Sequence, residues 1–150
     1  MNHTKEVRHS KKTPAIKAKD KAILCAHYAL DKKAYDVRIL HIGVLSSIAE
    51  YFVLCSGRSV RQVRAIADHM KFELKRCQCN PLGVEGEEEG IWILLDYDDV
   101  VIHVFYEPNR DVYYLEKLWS EAPLLSVPEL EDQEKVQTPD TDEDMDDWDD

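Results

Sequence analysis

The sequence predicts an α/β (α+β) fold: a mixed, about five-stranded sheet packed by helices. Three observations carry this. After Ser59 the apolar residues Val60, Val63, Ile66, Ala67, Met70 and Leu74 recur at helical spacing opposite Arg61, Arg64, Lys71 and Lys75. Short runs rich in β-branched, aromatic and aliphatic residues at 51–56, 91–95 and 100–106 are bounded by turn residues, as buried strands are. Helices with one apolar stripe and strands apolar on both sides bury their surfaces together when the helices lie on the faces of a sheet.

The elements follow in order. Thr13-Pro14 offers an N-cap and a first helical proline, and Ile16, Ile23, Ala26 and Leu30 trace one face of a helix reaching about residue 34. Residues 36–44 and 51–56 are strands joined by a turn at 43–49. Ser59 caps the second helix, and Asn80-Pro81 ends it. A short extended piece runs to Glu85, an acidic loop spans 86–90, and two strands, 91–95 and 100–106, are separated by Asp96-Tyr97-Asp98-Asp99, short enough for a hairpin. Residues 107–110 form a loop, Asp111 caps, and Val112, Leu115, Leu118 and Trp119 build a last helix.

Charge divides the chain. The net charge is −11, with twelve carboxylates and one Lys within 129–150, whereas residues 1–21 carry seven basic and two acidic groups. The low isoelectric point thus describes the tail rather than a working surface. The organisation expected is a flexible basic extension over 1–13, a folded domain over 14–122 and a disordered acidic tail over 123–150, too polar to offset its ordering entropy. Apolar runs reach about five residues where a bilayer needs about 20, so no membrane partner is expected. Cys25, Cys55, Cys77 and Cys79 lack the spacing of a disulfide framework, so reduced thiols and a cytoplasmic location are expected.

Few constellations offer chemistry. Cys77-x-Cys79 near His69 has no second ligand pair, so no metal is assigned. Asp96-x-Asp98 with Gly57-Arg58-Ser59 offers carboxylates for magnesium and a helix N-terminus for phosphate. That would suit a magnesium-dependent nucleotidyltransferase-like enzyme, but the same residues suit a hairpin turn and a helix cap. No catalytic residue and no cofactor are assigned. Arg58, Arg61 and Arg64 allow a weak rRNA contact, as in an rRNA-binding biogenesis factor, although aromatics for stacking are missing beside them. Trp92 starts a strand after the 86–90 loop, where an indole suits a binding anchor. An exposed apolar anchor leaves a monomer and a weak homodimer both open.

Several separated blocks resemble the ribosomal silencing factor family, also called Iojap-like, across about 22–120. They are Glu50-Tyr51-Phe52-Val53, Ser56-Gly57-Arg58-Ser59-Val60-Arg61-Gln62-Val63, Ala65-Ile66-Ala67-Asp68 and Pro81-Leu82-Gly83-Val84-Glu85-Gly86. Trp92, Asp96, Asp99-Val100-Val101-Ile102-His103-Val104 and Arg110 with Tyr113-Tyr114-Leu115-Glu116-Lys117-Leu118-Trp119 complete the set. Glu50 stands where the family usually shows Asp. The resemblance implies a nucleotidyltransferase-like fold without catalytic residues. It also implies a non-enzymatic translation repressor that binds the large ribosomal subunit through the ribosomal protein numbered fourteen and blocks joining of the small subunit when nutrients are short. By block membership it points to Leu82, Gly83, Glu85, Gly86, Trp92, Asp96, Asp99 and His103 as partner-binding residues. Glu85, Glu87, Glu88 and Glu89 would complement a basic ribosomal protein.

Overall fold

A computed structural model describes residues 16–113 and 115–130. Helix α1 (Ala18–Asp31) leads into β1 (Tyr35–His41), a single 3-10 turn (Ile42–Val44) and β2 (Tyr51–Gly57). Helix α2 (Val60–Arg76) follows, then β3 (Gly83–Glu85), β4 (Trp92–Asp96), β5 (Val100–Tyr106), α3 (Glu107–Tyr113) and the short turn α4 (Leu115–Leu118). The sheet order is β1-β2-β5-β4-β3, with β2 and β5 parallel and the other neighbours antiparallel. The five-stranded mixed sheet packed by helices that the sequence predicts is the sheet observed.

The two long helices share one face of the sheet. Ser59 caps α2, its Oγ accepting the Gln62 N–H at 3.0 Å, and Val63, Ile66, Ala67, Met70 and Leu74 are buried as the spacing predicts. The buried Gln62 side chain binds the end of α1, donating to the carbonyls of Lys32 (3.1 Å) and Lys33 (3.0 Å) and accepting the Arg58 N–H. Helix α1 differs from expectation. Its buried face is Ala22, Cys25, Ala26 and Ala29, while Ile23 and Leu30 are only partly buried. Small side chains let the helix axis approach β1 and β2 closely, and the larger residues turn to its flanks. The expected cap at Thr13-Pro14 lies outside the described residues.

Two further expectations are corrected. Residues 107–110 are not a loop: α3 begins at Glu107, directly after β5, so Asp111 stands inside a helix rather than ahead of one. Pro108 is in the first turn, where a missing N–H costs nothing. Residues 123–130, read as the start of the acidic tail, are packed. The His41 N–H donates to the Pro123 carbonyl (2.8 Å), the Leu125 N–H donates to the Ile39 carbonyl (2.8 Å), and Leu124 bridges Leu40. This strap passes round the outer edge of β1. Ala122 packs with the core on one side of the sheet, and Val127 and Leu130 with the core on the other. Residues 1–13 and the acidic tail from 131 onward lie outside the described residues.

Candidate docking surface

Strand register assigns the candidate residues to faces. Side chains alternate along a strand, and Trp92 pairs with Phe105, Leu94 with His103, Asp96 with Val101, Gly83 with Asp96 and Glu85 with Leu94. Gly83, Glu85, Trp92, Leu94, Asp96, Val101, His103 and Phe105 therefore share the face turned away from α1 and α2. The structure brings five of the eight predicted partner-binding residues, Gly83, Glu85, Trp92, Asp96 and His103, to that face. Leu115, Trp119 and Ala122 cover its β2 side, packing on Leu40, Phe52 and Leu54. The β4–β3 side is barer: Trp92 and Leu94 are half-buried and Glu85 is exposed, while Leu82, 71 % exposed, lies ahead of β3 at the Asp96 end.

An aromatic cluster underlies the indole. Trp92 Nε1 donates to His103 Nδ1 at 3.1 Å. Phe52 meets His103 edge-on with ring centroids 4.7 Å apart, Trp92 lies 5.4 Å from Phe105, and Trp119 closes on Phe52 at 5.7 Å. His103 is only 3 % exposed, and burial pushes its pKa down to about 3, so the ring is neutral at any physiological pH. Because indole N–H can only donate, Nδ1 must accept and the imidazole hydrogen sits on Nε2. That Nε2–H is buried with no acceptor among the described residues. His103 thus lies under the surface rather than on it.

The 86–90 loop is fastened to α2. Gly86 has φ +86°, and a side-chain carbon there would collide with the Trp92 carbonyl oxygen, so the loop's closeness to the strand depends on glycine. Arg64 donates from Nε to the Glu87 carbonyl (3.1 Å) and from its terminal nitrogen to the Glu88 carbonyl, and Lys71 pairs with the Glu87 carboxylate. The hydrogen bond to Glu87 raises the Lys71 pKa. Glu87, exposed like Glu85, Glu88 and Glu89, is therefore already engaged within the molecule. By the same contacts Arg64 and Lys71 are engaged, which shortens the basic face considered for RNA.

The turn after β4 is structural. Asp96 Oδ1 accepts the Asp98 N–H at 2.8 Å, with Asp98 at φ 75°, an Asx turn. Asp99 points to the helix side, where Lys21 Nζ reaches its carboxylate at 2.7 Å, and its carbonyl accepts the N–H groups of Glu50 and Tyr51. The supposed magnesium and phosphate elements never meet. Asp96 is level with Val101, whereas Gly57 is level with Tyr106. Five strand residues, about 17 Å, separate them. His69 is engaged by Asp31 at 3.1 Å, and among the described residues no cluster of three or more His, Cys, Asp or Glu is arranged to hold a metal. Burial raises the thiol pKa of Cys25 and Cys55, that of Cys55 to about 12, so neither is a ready nucleophile.

Sequence reasoning missed Leu94 and the part played by Arg110. Strand alternation between Trp92 and Asp96 was the signal for Leu94. Arg110, 6 % exposed, forks onto both Glu116 oxygens (3.0 and 2.9 Å) and donates to the Asp36 carbonyl (2.7 Å) and Ser56 Oγ (2.8 Å). One guanidinium thereby ties α3 and α4 to β1 and β2 and fixes how far they cover the face. Its partners lie as far as 74 positions away, beyond any local pattern.

Comparison with known proteins places the chain in a family. Residues 15–149 match the family described as ribosomal silencing factor during starvation, reaching past 22–120 on both sides. The chain is 43 % identical over 97 residues to ribosomal silencing factor RsfS of Bacillus subtilis, covering 65 % of this chain and 82 % of that protein. It is 41 % identical over 97 residues to that of Halalkalibacterium halodurans, covering 65 % and 83 %. A crystal structure of a protein from Chromobacterium violaceum superposes with a TM-score of 0.68 at 33 % identity, covering 70 % of this chain and 88 % of that one.

Proposed function

The chain belongs to the ribosomal silencing factor family, and from that premise we propose that it represses translation by steric exclusion. It binds the large ribosomal subunit through the ribosomal protein numbered fourteen and occupies the volume the small subunit needs, under nutrient limitation and in the cytoplasm. A role in translation regulation comes with the family; the partner, the geometry and the trigger are the proposal. No bond is made or broken in this mechanism. The separation of Asp96 from Gly57 supports that reading, since the residues that would have to cooperate in phosphoryl chemistry stand at opposite ends of the sheet.

The observation that carries the proposal is the half-covered sheet face, with the Trp92 indole held by His103 and flanked by half-buried Leu94. A standard interface buries about 1,600 Å² in total, and a central aromatic anchor dominates its energetics. Exposed Glu85, Glu88 and Glu89 at the rim favour a basic partner through steering and make the association salt-sensitive. The test is co-sedimentation with purified large subunits. Trp92→Ala should weaken binding by about 30-fold, the equivalent of about 2 kcal/mol, and should release subunit joining. Full joining in the presence of excess wild-type protein would refute steric exclusion. Binding to the isolated ribosomal protein without RNA separates this reading from an RNA-binding one, and concentration-dependent sedimentation of the free chain decides between monomer and weak dimer.

A further inference from the structure

We infer that His103 is a positioning residue: it touches no partner, and acts by accepting the Trp92 indole hydrogen so that the anchor is already oriented before docking. The inference rests on the docking reading above and deepens it. Block membership places His103 among the contact residues, but the geometry sets it one layer below.

Three observations converge. The acceptor itself is immobile: His103 is 3 % exposed, between Phe52 at 4.7 Å and Phe105, whose ring is nearly parallel at 6.2 Å. The hydrogen bond is diagonal across the ladder. Trp92 faces Phe105 while Leu94 faces His103, so the imidazole reaches the indole from two residues away along β5 and fixes the direction of its N–H edge. Finally, the ring leaves its Nε2–H buried without an acceptor. Burying an unsatisfied donor lowers stability, and an apolar residue would pack here without that loss. The imidazole is therefore accounted for by what its other nitrogen does. The neutral ring offers that lone pair at every pH at which the protein works, and a side chain ordered in advance loses less freedom when it binds.

The experiment uses the full chain labelled with ¹⁵N, the Trp92 indole signal being assigned with Trp92→Phe. In His103→Phe, which keeps a ring but has no acceptor, indole N–H exchange should accelerate at least about tenfold and affinity for large subunits should fall about tenfold, while the melting temperature holds or rises because the orphaned donor is gone. His103→Asn, whose Oδ1 can stand near the position of Nδ1, should recover indole protection and most of the affinity. His103→Leu is the second acceptor-free variant, and loss of the fold in both acceptor-free variants would mark His103 as a packing residue and overturn the assignment. Unchanged indole exchange in His103→Phe would overturn it in the free protein, whatever the ribosome does. Faster exchange with unchanged affinity would show that orientation does not matter to docking, and overturn it equally. Wild-type binding by Trp92→Ala refutes the docking reading itself, and the anchor role with it.

Discussion

The two faces of the sheet come from the same strands, yet they are built from different chemistry. Toward α1 and α2 the strands present Val53, Ile93, Leu95, Val100, Ile102 and Val104, aliphatic side chains that interlock with Val63, Ile66, Met70 and Leu74. Toward the other side they present Phe52, Trp92, His103 and Phe105 set among Leu40, Leu54, Leu94 and Val101, with Trp119 laid against Phe52 and the Arg110 fork beside them. Aliphatic packing is dense and indifferent to direction, and it holds the fold together. Aromatic rings with polar tips have preferred orientations and remain useful when one edge meets another molecule. One face is therefore the store of stability and the other, with its covering stopped short at β4, is the arrangement proposed for recognition.

Four measurements can break or sharpen this contrast. Ile102→Ala, fully buried between sheet and helices, should cost about 4 kcal/mol in urea unfolding and leave the ribosome affinity of the folded fraction unchanged. Arg110→Met should cost about 3 kcal/mol, less than a wholly enclosed ion pair because Glu116 and Asp36 still reach solvent. It should also raise binding of a hydrophobic dye as α3 and α4 loosen over Phe52 and Phe105. Acid separates the faces further. His103 titrates at about 3 when folded against an ordinary value near 6.5, so the unfolded chain takes up a proton that the native state refuses. Its contribution is intact above pH 6.5 and lost as the pH falls toward 3, at up to about 1.4 kcal/mol per pH unit. A denaturation series should show that slope shrink in His103→Phe. Leu94→Ala should have the smallest effect on stability, under about 1 kcal/mol, while weakening ribosome binding about fivefold. Equal effects of Leu94→Ala and Ile102→Ala on stability would erase the distinction between the faces.

The helix-bearing face was more legible in the sequence than the other. Ser59 and the stripe from Val63 to Leu74 act through local spacing, so α2 was readable. Helix α1 was placed, but its inward side was assigned to Ile16, Ile23, Ala26 and Leu30, because hydrophobicity marks a core face poorly when close approach favours alanine. Residues 107–110 read as a loop, although Pro108 sits where helices tolerate proline. The prolines at 123 and 128 read as the onset of a tail. Yet the segment between them is held by β1, a partner about 80 residues away, and only the apolar positions Leu124, Leu125, Val127 and Leu130 hinted at it. At the site, Trp92 was visible as a residue type in a favourable place. Its bond to His103 depends on a register set by the 96–99 turn, and a two-residue offset across a ladder leaves no mark in either strand alone.

The strap round β1 has a practical consequence. It delivers Glu129 to the helix-bearing side, within 3.9 Å of His27, with the thickness of the sheet between it and the indole. A fluorophore joined to a cysteine introduced at Glu129 would ride on the back of the molecule. It could report the rotational slowing that accompanies capture by a particle of ribosomal size, without standing in the way of that capture.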